Sequence, residues 1–136
     1  MGSAGTRQDE TATPGATVLI VEDNDTNLKL ARDLLRIGGF ATLEATTAEQ
    51  GVELTQRDHP DVVVMDIQLP DFDGWEALRR IREDPLTQDQ VVVAVTAYAV
   101  AGDEPRFLSG GFDGYLTKPI DVRTFSTSIR SFCRGR

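Results

Sequence analysis

Short apolar runs that break onto polar, chemically competent residues constrain this chain most. TVLIV at Thr17–Val21 runs into Glu22 and Asp23, and VVVM at 62–65 runs into Asp66. VVVAV at 91–95 runs into Thr96, and GYLT at Gly114–Thr117 runs into Lys118 and Pro119. The first of these is apolar at consecutive positions, the mark of a strand buried on both faces. In an open parallel α/β sheet all strands point the same way, so their carboxyl ends line one edge, where ligands bind. That rule gathers three carboxylates, a hydroxyl and an ammonium from distant sequence into one crevice.

The stretches between the runs carry helical spacing. From about residue 26 to 37, Leu28, Ala31, Leu34 and Leu35 share one face, and Gly38 and Gly39 end the helix. Ala41–Ala45 reads as a short second strand. Thr47 is placed to cap a helix that turns Ala48, Val52 and Thr55 inward and ends before Pro60. A loop over 67–74 (IQLPDFDG) precedes a helix over about 75–82. Pro85 stops that helix, because the residue before a proline is pushed out of the α region. The segment 97–109 is weakly helical, since Gly102 and Pro105 point to a late start. A last helix from about Val122 sets Val122, Phe125, Ile129 and Phe132 on one apolar face.

Five β-α repeats predict a doubly wound α/β fold: a five-stranded parallel sheet with helices on both faces. Right-handed crossovers leave few topologies, and the flavodoxin-type order 2-1-3-4-5 places strands one and three side by side. Glu22 and Asp23 then face Asp66. Residues 1–16 lack apolar periodicity and read as a disordered arm ahead of one domain over 17–136.

The formal net charge of −8 lacks the basic footprint of a nucleic-acid binder. Cys133 is the only cysteine, which rules out an internal disulfide and fits a reducing compartment. No apolar run approaches the roughly 20 residues of a membrane span, and no signal pattern opens the chain. The expected location is cytoplasmic. His59 reads as exposed, Trp75 as a packing residue, and Asp71, Asp73, Glu83 and Asp84 as solvated charges.

Carboxylates at close quarters raise one another's pKa unless a positive charge sits among them. A hard divalent cation such as Mg²⁺, held by carboxylate, water and phosphate oxygens, meets that need. Asp23 and Asp66 are the expected ligands, with Glu22 acting through water or by charge and the Gln68 backbone carbonyl completing the set. Lys118 and the Thr96 hydroxyl would meet phosphoryl oxygens. Asp66, on a central strand between the others, is the best nucleophile.

VLIVEDN at 18–24, VVVMDIQLPDFDG at 62–74, VVAVTAYA at 92–99 and YLTKPI at 115–120 resemble the receiver domain of bacterial response regulators, CheY-like proteins of two-component systems, and most of all the stand-alone DivK-type members. The resemblance covers 17–132. It implies that Asp66 is the phosphoacceptor, Glu22 and Asp23 the acidic pair, Thr96 the switch hydroxyl, Lys118 the phosphate-pairing lysine and Tyr115 the aromatic switch. It implies a cis peptide bond before Pro119, and a tuning of acyl-phosphate lifetime by Gln68 and Tyr98. It also implies phosphoryl transfer from a histidine kinase or histidine phosphotransfer protein, with Mg²⁺. The receiver would catalyse its own phosphorylation and dephosphorylation without being a conventional enzyme.

Because the chain ends soon after the last helix, the expected output is a protein–protein contact through helix 4, strand 5 and helix 5, or onward phosphotransfer as a relay carrier. Arg123, Arg130 and Arg134 belong to the expected contact face. An aspartyl-nucleophile phosphatase would need a second Asp where Gln68 stands. A docking domain that is never phosphorylated would not need the intact acids, Thr96 and Lys118.

Overall fold

The computed structural model describes residues 16–97 and 103–134. Its elements are β1 (Thr17–Val21), α1 (Asp25–Ile37), β2 (Ala41–Ala45), α2 (Ala48–Asp58), β3 (Val62–Asp66), α3 (Gly74–Glu83), β4 (Val92–Thr96), α4 (Asp103–Ser109), β5 (Gly114–Thr117) and α5 (Phe125–Arg134). The five strands are parallel in the order β2-β1-β3-β4-β5, the predicted 2-1-3-4-5.

Period-two alternation sends each strand's side chains to opposite faces. Val18, Ile20, Val62, Val64, Val93 and Val95 pack with Leu28, Ala31 and Leu35 of α1 and with Phe125 and Ile129 of α5. Leu19, Val21, Val63, Met65, Val92 and Ala94 pack with Ala48 and Val52 of α2, with Ala77, Leu78 and Ile81 of α3, and with Phe107 of α4. Both faces are covered, which is why β3 and β4 are buried at every position.

Local chemistry sets the helix ends. The Asn24 side chain caps α1 by accepting from Asn27 N, and Thr47 caps α2 by accepting from Gln50 N. Asp84, before Pro85, is extended at φ −89° and ψ 120°, and α3 stops there. His59 is exposed and closes α2 in the left-handed region at φ 47°.

Three expectations need correction. Strand β4 runs one residue later than 91–95 and takes in Thr96, whose Cα pairs with that of Thr117. Helix α5 starts at Phe125, after a turn over residues 122–124 that Asp121 closes. Its side chain accepts from Arg123 N at 2.9 Å, and its carbonyl accepts from Thr124 N and Phe125 N. Val122 therefore sits in a turn and is 58% exposed, off the apolar face. Arg130 turns inward rather than outward: its guanidinium donates to the Gly38 carbonyl at 3.0 Å and covers the Phe40 ring at 5.8 Å. A cation there complements the negative end of the α1 dipole.

Candidate functional site

The parallel register builds the site. Val21 pairs with Met65, so the next residues, Glu22 and Asp66, emerge side by side from adjacent strands. Lys118 follows β5, and its backbone N–H donates to the Thr96 carbonyl at 2.9 Å, tying the fifth strand's end to the fourth. The Lys118 ammonium crosses to the acids, 2.9 Å from Asp66 Oδ2 and 3.0 Å from Glu22 Oε1. The remaining oxygens are also engaged. Asp66 Oδ1 accepts from Gln68 N at 3.0 Å, and Glu22 Oε2 accepts from Asn24 N at 3.1 Å.

Burial differs among the acids. Glu22 and Asp66 are buried at 6% and 5% exposure, whereas Asp23 is exposed. Burial pushes the Glu22 carboxyl up, and the Asp66 charge adds to that; hydrogen bonds from Asn24 and Lys118 oppose it without cancelling it. Burial pulls the Lys118 ammonium down, but the hydrogen bonds and charges of Asp66 and Glu22 outweigh it and hold the lysine above its usual range.

One ligand oxygen from each of Glu22, Asp23 and Asp66 can be chosen so that all lie within 4.8 Å of one another. The donors are all oxygen and the cleft is open to water, which suits a hard cation that keeps part of its hydration shell. The cleft holds about 510 Å³ and is lined by Asp23, Asn27, Asp66, Gln68 and Lys118, among others. Of the remaining expected residues, Thr96 is buried at the end of β4 and Tyr115 is half-buried on β5; neither lines the cleft. The Lys118–Pro119 peptide bond is cis. Tyr98 lies outside the described residues.

Two aspartates expected to be solvated do structural work beside the site. Asp71 reaches across 23 positions: Oδ1 accepts from Ala48 N and Oδ2 from Glu49 N, both at 2.9 Å. Those are the first two donors of α2, and the third, Gln50 N, belongs to Thr47, so the N–H groups of its first three residues all have acceptors. Asp73 caps α3 by accepting from Glu76 N at 3.0 Å. The second half of the loop carrying Gln68 is thus pinned to the starts of two helices. Across the loop Gly74 N donates to the Ile67 carbonyl, at a place where a Cβ would lie 2.8 Å from the Asp66 carbonyl oxygen. Asp73 was legible, since D-x-x-E ahead of a helix is a capping pattern. Asp71 and the backbone role of Asn24 in holding Glu22 left no local signal.

Comparison with known proteins agrees with this geometry. The response regulator receiver domain model matches residues 18–130. The polar-differentiation response regulator DivK of Brucella ovis is 40% identical over 116 residues, which is 85% of this chain and 94% of that protein. The receiver domain of sensor histidine kinase PA1611 from Pseudomonas aeruginosa, described with a magnesium ion coordinated in its active-site cleft, superposes with a TM-score of 0.80 at 30% identity, covering 88% of this chain and 98% of that one. A response regulator from Chloroflexus aurantiacus gives a TM-score of 0.81 at 26% identity, over 88% and 98%. The chain belongs to the response regulator receiver family of two-component signalling, whose members are phosphoacceptors. Among the described residues no helix is long and apolar enough to cross a membrane.

Proposed function

We propose that this domain is a phosphorylation-controlled switch with Asp66 as phosphoacceptor. An Asp66 carboxylate oxygen attacks the phosphorus of a phosphohistidine on a histidine kinase or phosphotransfer protein. The P–N bond breaks, the imidazole leaves with the electron pair and takes a proton, and an acyl phosphate forms. Asp23, Asp66 and the Gln68 carbonyl, with Glu22 acting through water or by charge, would hold Mg²⁺, which would supply charge neutralisation for the phosphoryl oxygens. Lys118 passes from the Asp66 carboxylate to a phosphoryl oxygen, a short move from its present 2.9 Å contact. The Thr96 hydroxyl turns to another oxygen, and Tyr115 moves into the space released. Gln68 and Tyr98 set how fast water removes the phosphoryl group in the domain's own dephosphorylation.

Output runs through α4, β5 and α5 to a downstream protein; Leu108 near the end of α4 and Val122 ahead of α5 are exposed apolar side chains, at 44% and 58%. The coupling is a shift in population between two states, not a displacement along a wire.

The observation that carries this reading is the buried Asp66 carboxylate, held between a lysine and two further acids at the mouth of a cleft. Incubation with acetyl phosphate and Mg²⁺, followed by intact mass, tests it. Wild type gains one phosphoryl group, a chelator abolishes the gain, and Asp66→Asn gains none. Equal labelling of Asp66→Asn removes the assignment.

A further inference from the structure

Helix α4 is attached to the body differently from its neighbours. Of its described side chains, Pro105, Arg106, Leu108 and Ser109 are exposed, and Phe107 alone is buried, at 2% exposure. The Phe107 ring lies between two others in one column. Tyr115 of β5 stacks on it with centroids 5.1 Å apart and planes 11° apart, and Trp75 of α3 stacks at 5.2 Å and 15°. Phe112 meets both Trp75 and Phe107 edge-on, at 4.9 and 6.0 Å. Arg106 spans the edge of the column, its guanidinium carbon 5.4 Å from the Trp75 ring centroid and 5.3 Å from that of Phe107. Gly110 closes the corner, where a Cβ would collide with the Trp75 ring.

The column makes three elements mutually dependent. An aromatic pair is worth more than its buried area, and that gain is lost when one of the two rings withdraws. If Tyr115 leaves its place, one face of Phe107 loses its partner. Phe107 is the one buried side chain in the described part of α4, so the loss falls on its main apolar anchor there. Trp75, on the other face of the same ring, shares the new environment.

We infer that Phe107 is the coupling plug of this domain, the ring through which the position of Tyr115 sets how firmly α4 is seated and what surrounds Trp75. The inference rests on the reading of Tyr115 as the residue that moves on phosphorylation. It adds that the α3–α4 corner, and not only the face beyond β5, responds to the site. Phe107 is a positioning residue in this scheme and touches no reacting atom.

The test has one arm without phosphodonor and one with it. In the resting protein, amide hydrogen exchange of α4 and the emission of Trp75, the only tryptophan, are read in wild type, Tyr115→Phe and Tyr115→Leu. Tyr115→Phe keeps the stack and matches wild type. Tyr115→Leu keeps bulk but no ring; α4 exchange then quickens about two- to tenfold relative to α1, and Trp75 emission shifts. Equal quickening of α1 and α4, or an unmoved Trp75, overturns the plug whatever happens at Asp66. In the second arm acetyl phosphate and Mg²⁺ are added, with mass confirming label on Asp66. Wild type and Tyr115→Phe then change α4 exchange and Trp75 emission, and labelled Tyr115→Leu does not. A labelled wild type with silent α4 and Trp75 sinks the coupling. Failure to label at all sinks the phosphoacceptor reading, while the first arm still decides on the plug.

Discussion

Helices α1 and α4 flank opposite faces of one sheet and are held by very different means. Helix α1 buries Leu28, Ala31 and Leu35, is capped by Asn24, and has Arg130 on the carbonyl that ends it. The described part of α4 buries Phe107 alone and has one aromatic column in place of a packed stripe. The contrast matches the division of roles proposed above. The acids stand on β1 and β3, next to the firmly packed helices, where a cation site needs fixed oxygens. Thr96 and Tyr115 stand on β4 and β5, beside the helix with the weaker hold. Low local stability is where a two-state element has to lie.

The sharpest way to break this comparison is to cut each anchor. Leu35→Ala, at a fully buried position, is expected to cost about 2–5 kcal/mol and to lower the global urea midpoint. Phe107→Leu, which keeps most of the volume, is expected to cost about 1–2 kcal/mol, with exchange rising first in α4. Matching global losses in both variants would mean that α4 is as integral as α1.

Next in size is Lys118→Met. It leaves the buried Glu22 and Asp66 without their cation, and loss of one partner of such a pair costs about 3 kcal/mol when burial is complete. Because Lys118 is 19% exposed at the side chain, about 2 kcal/mol is expected, partly recovered on adding Mg²⁺. Urea melts with and without Mg²⁺ check this, and a variant as stable as wild type without Mg²⁺ would refute the pairing.

Asp71→Ala frees two donors at the start of α2 and is expected to cost about 1 kcal/mol, with Asp71→Asn milder. The smallest effect is its pH dependence. Burial works against the Asp71 carboxylate, but the backbone N–H groups of Glu49 and Ala48 outweigh it and hold the group below its usual range. A carboxyl lowered on folding lends stability above its unfolded value of 3.8, and that stability is lost as pH falls through the lower folded value. Asp71→Asn should therefore show a flatter stability profile below pH 3.8 than wild type, measured by thermal melts.

The frame of the fold was legible because its signals are local: consecutive apolar positions, Thr47 as a cap, Pro85 as a stop. The acid cluster was legible for a related reason. Parallel strands carry their last residues to one edge, so Glu22, Asp66, Thr96 and Lys118 needed only strand ends to be placed. The misses share the opposite property. Asp71 finds its donors 22 and 23 residues away, and Arg130 finds the Gly38 carbonyl 92 residues away. Val122 fits a helical period, yet it falls in the turn that Asp121 closes through its side chain and carbonyl, and the helix starts later. The aromatic column was equally hidden, since Trp75, Phe107 and Tyr115 come from three elements that meet only after the sheet forms.

Three carboxylates share the cleft with one ammonium, so with all of them ionised the resting pocket carries an excess of two negative charges. A single divalent ion matches that excess, whereas a monovalent one leaves half of it standing. Valence therefore screens candidate ions before radius does, and rising ionic strength should weaken their capture in proportion to that double charge.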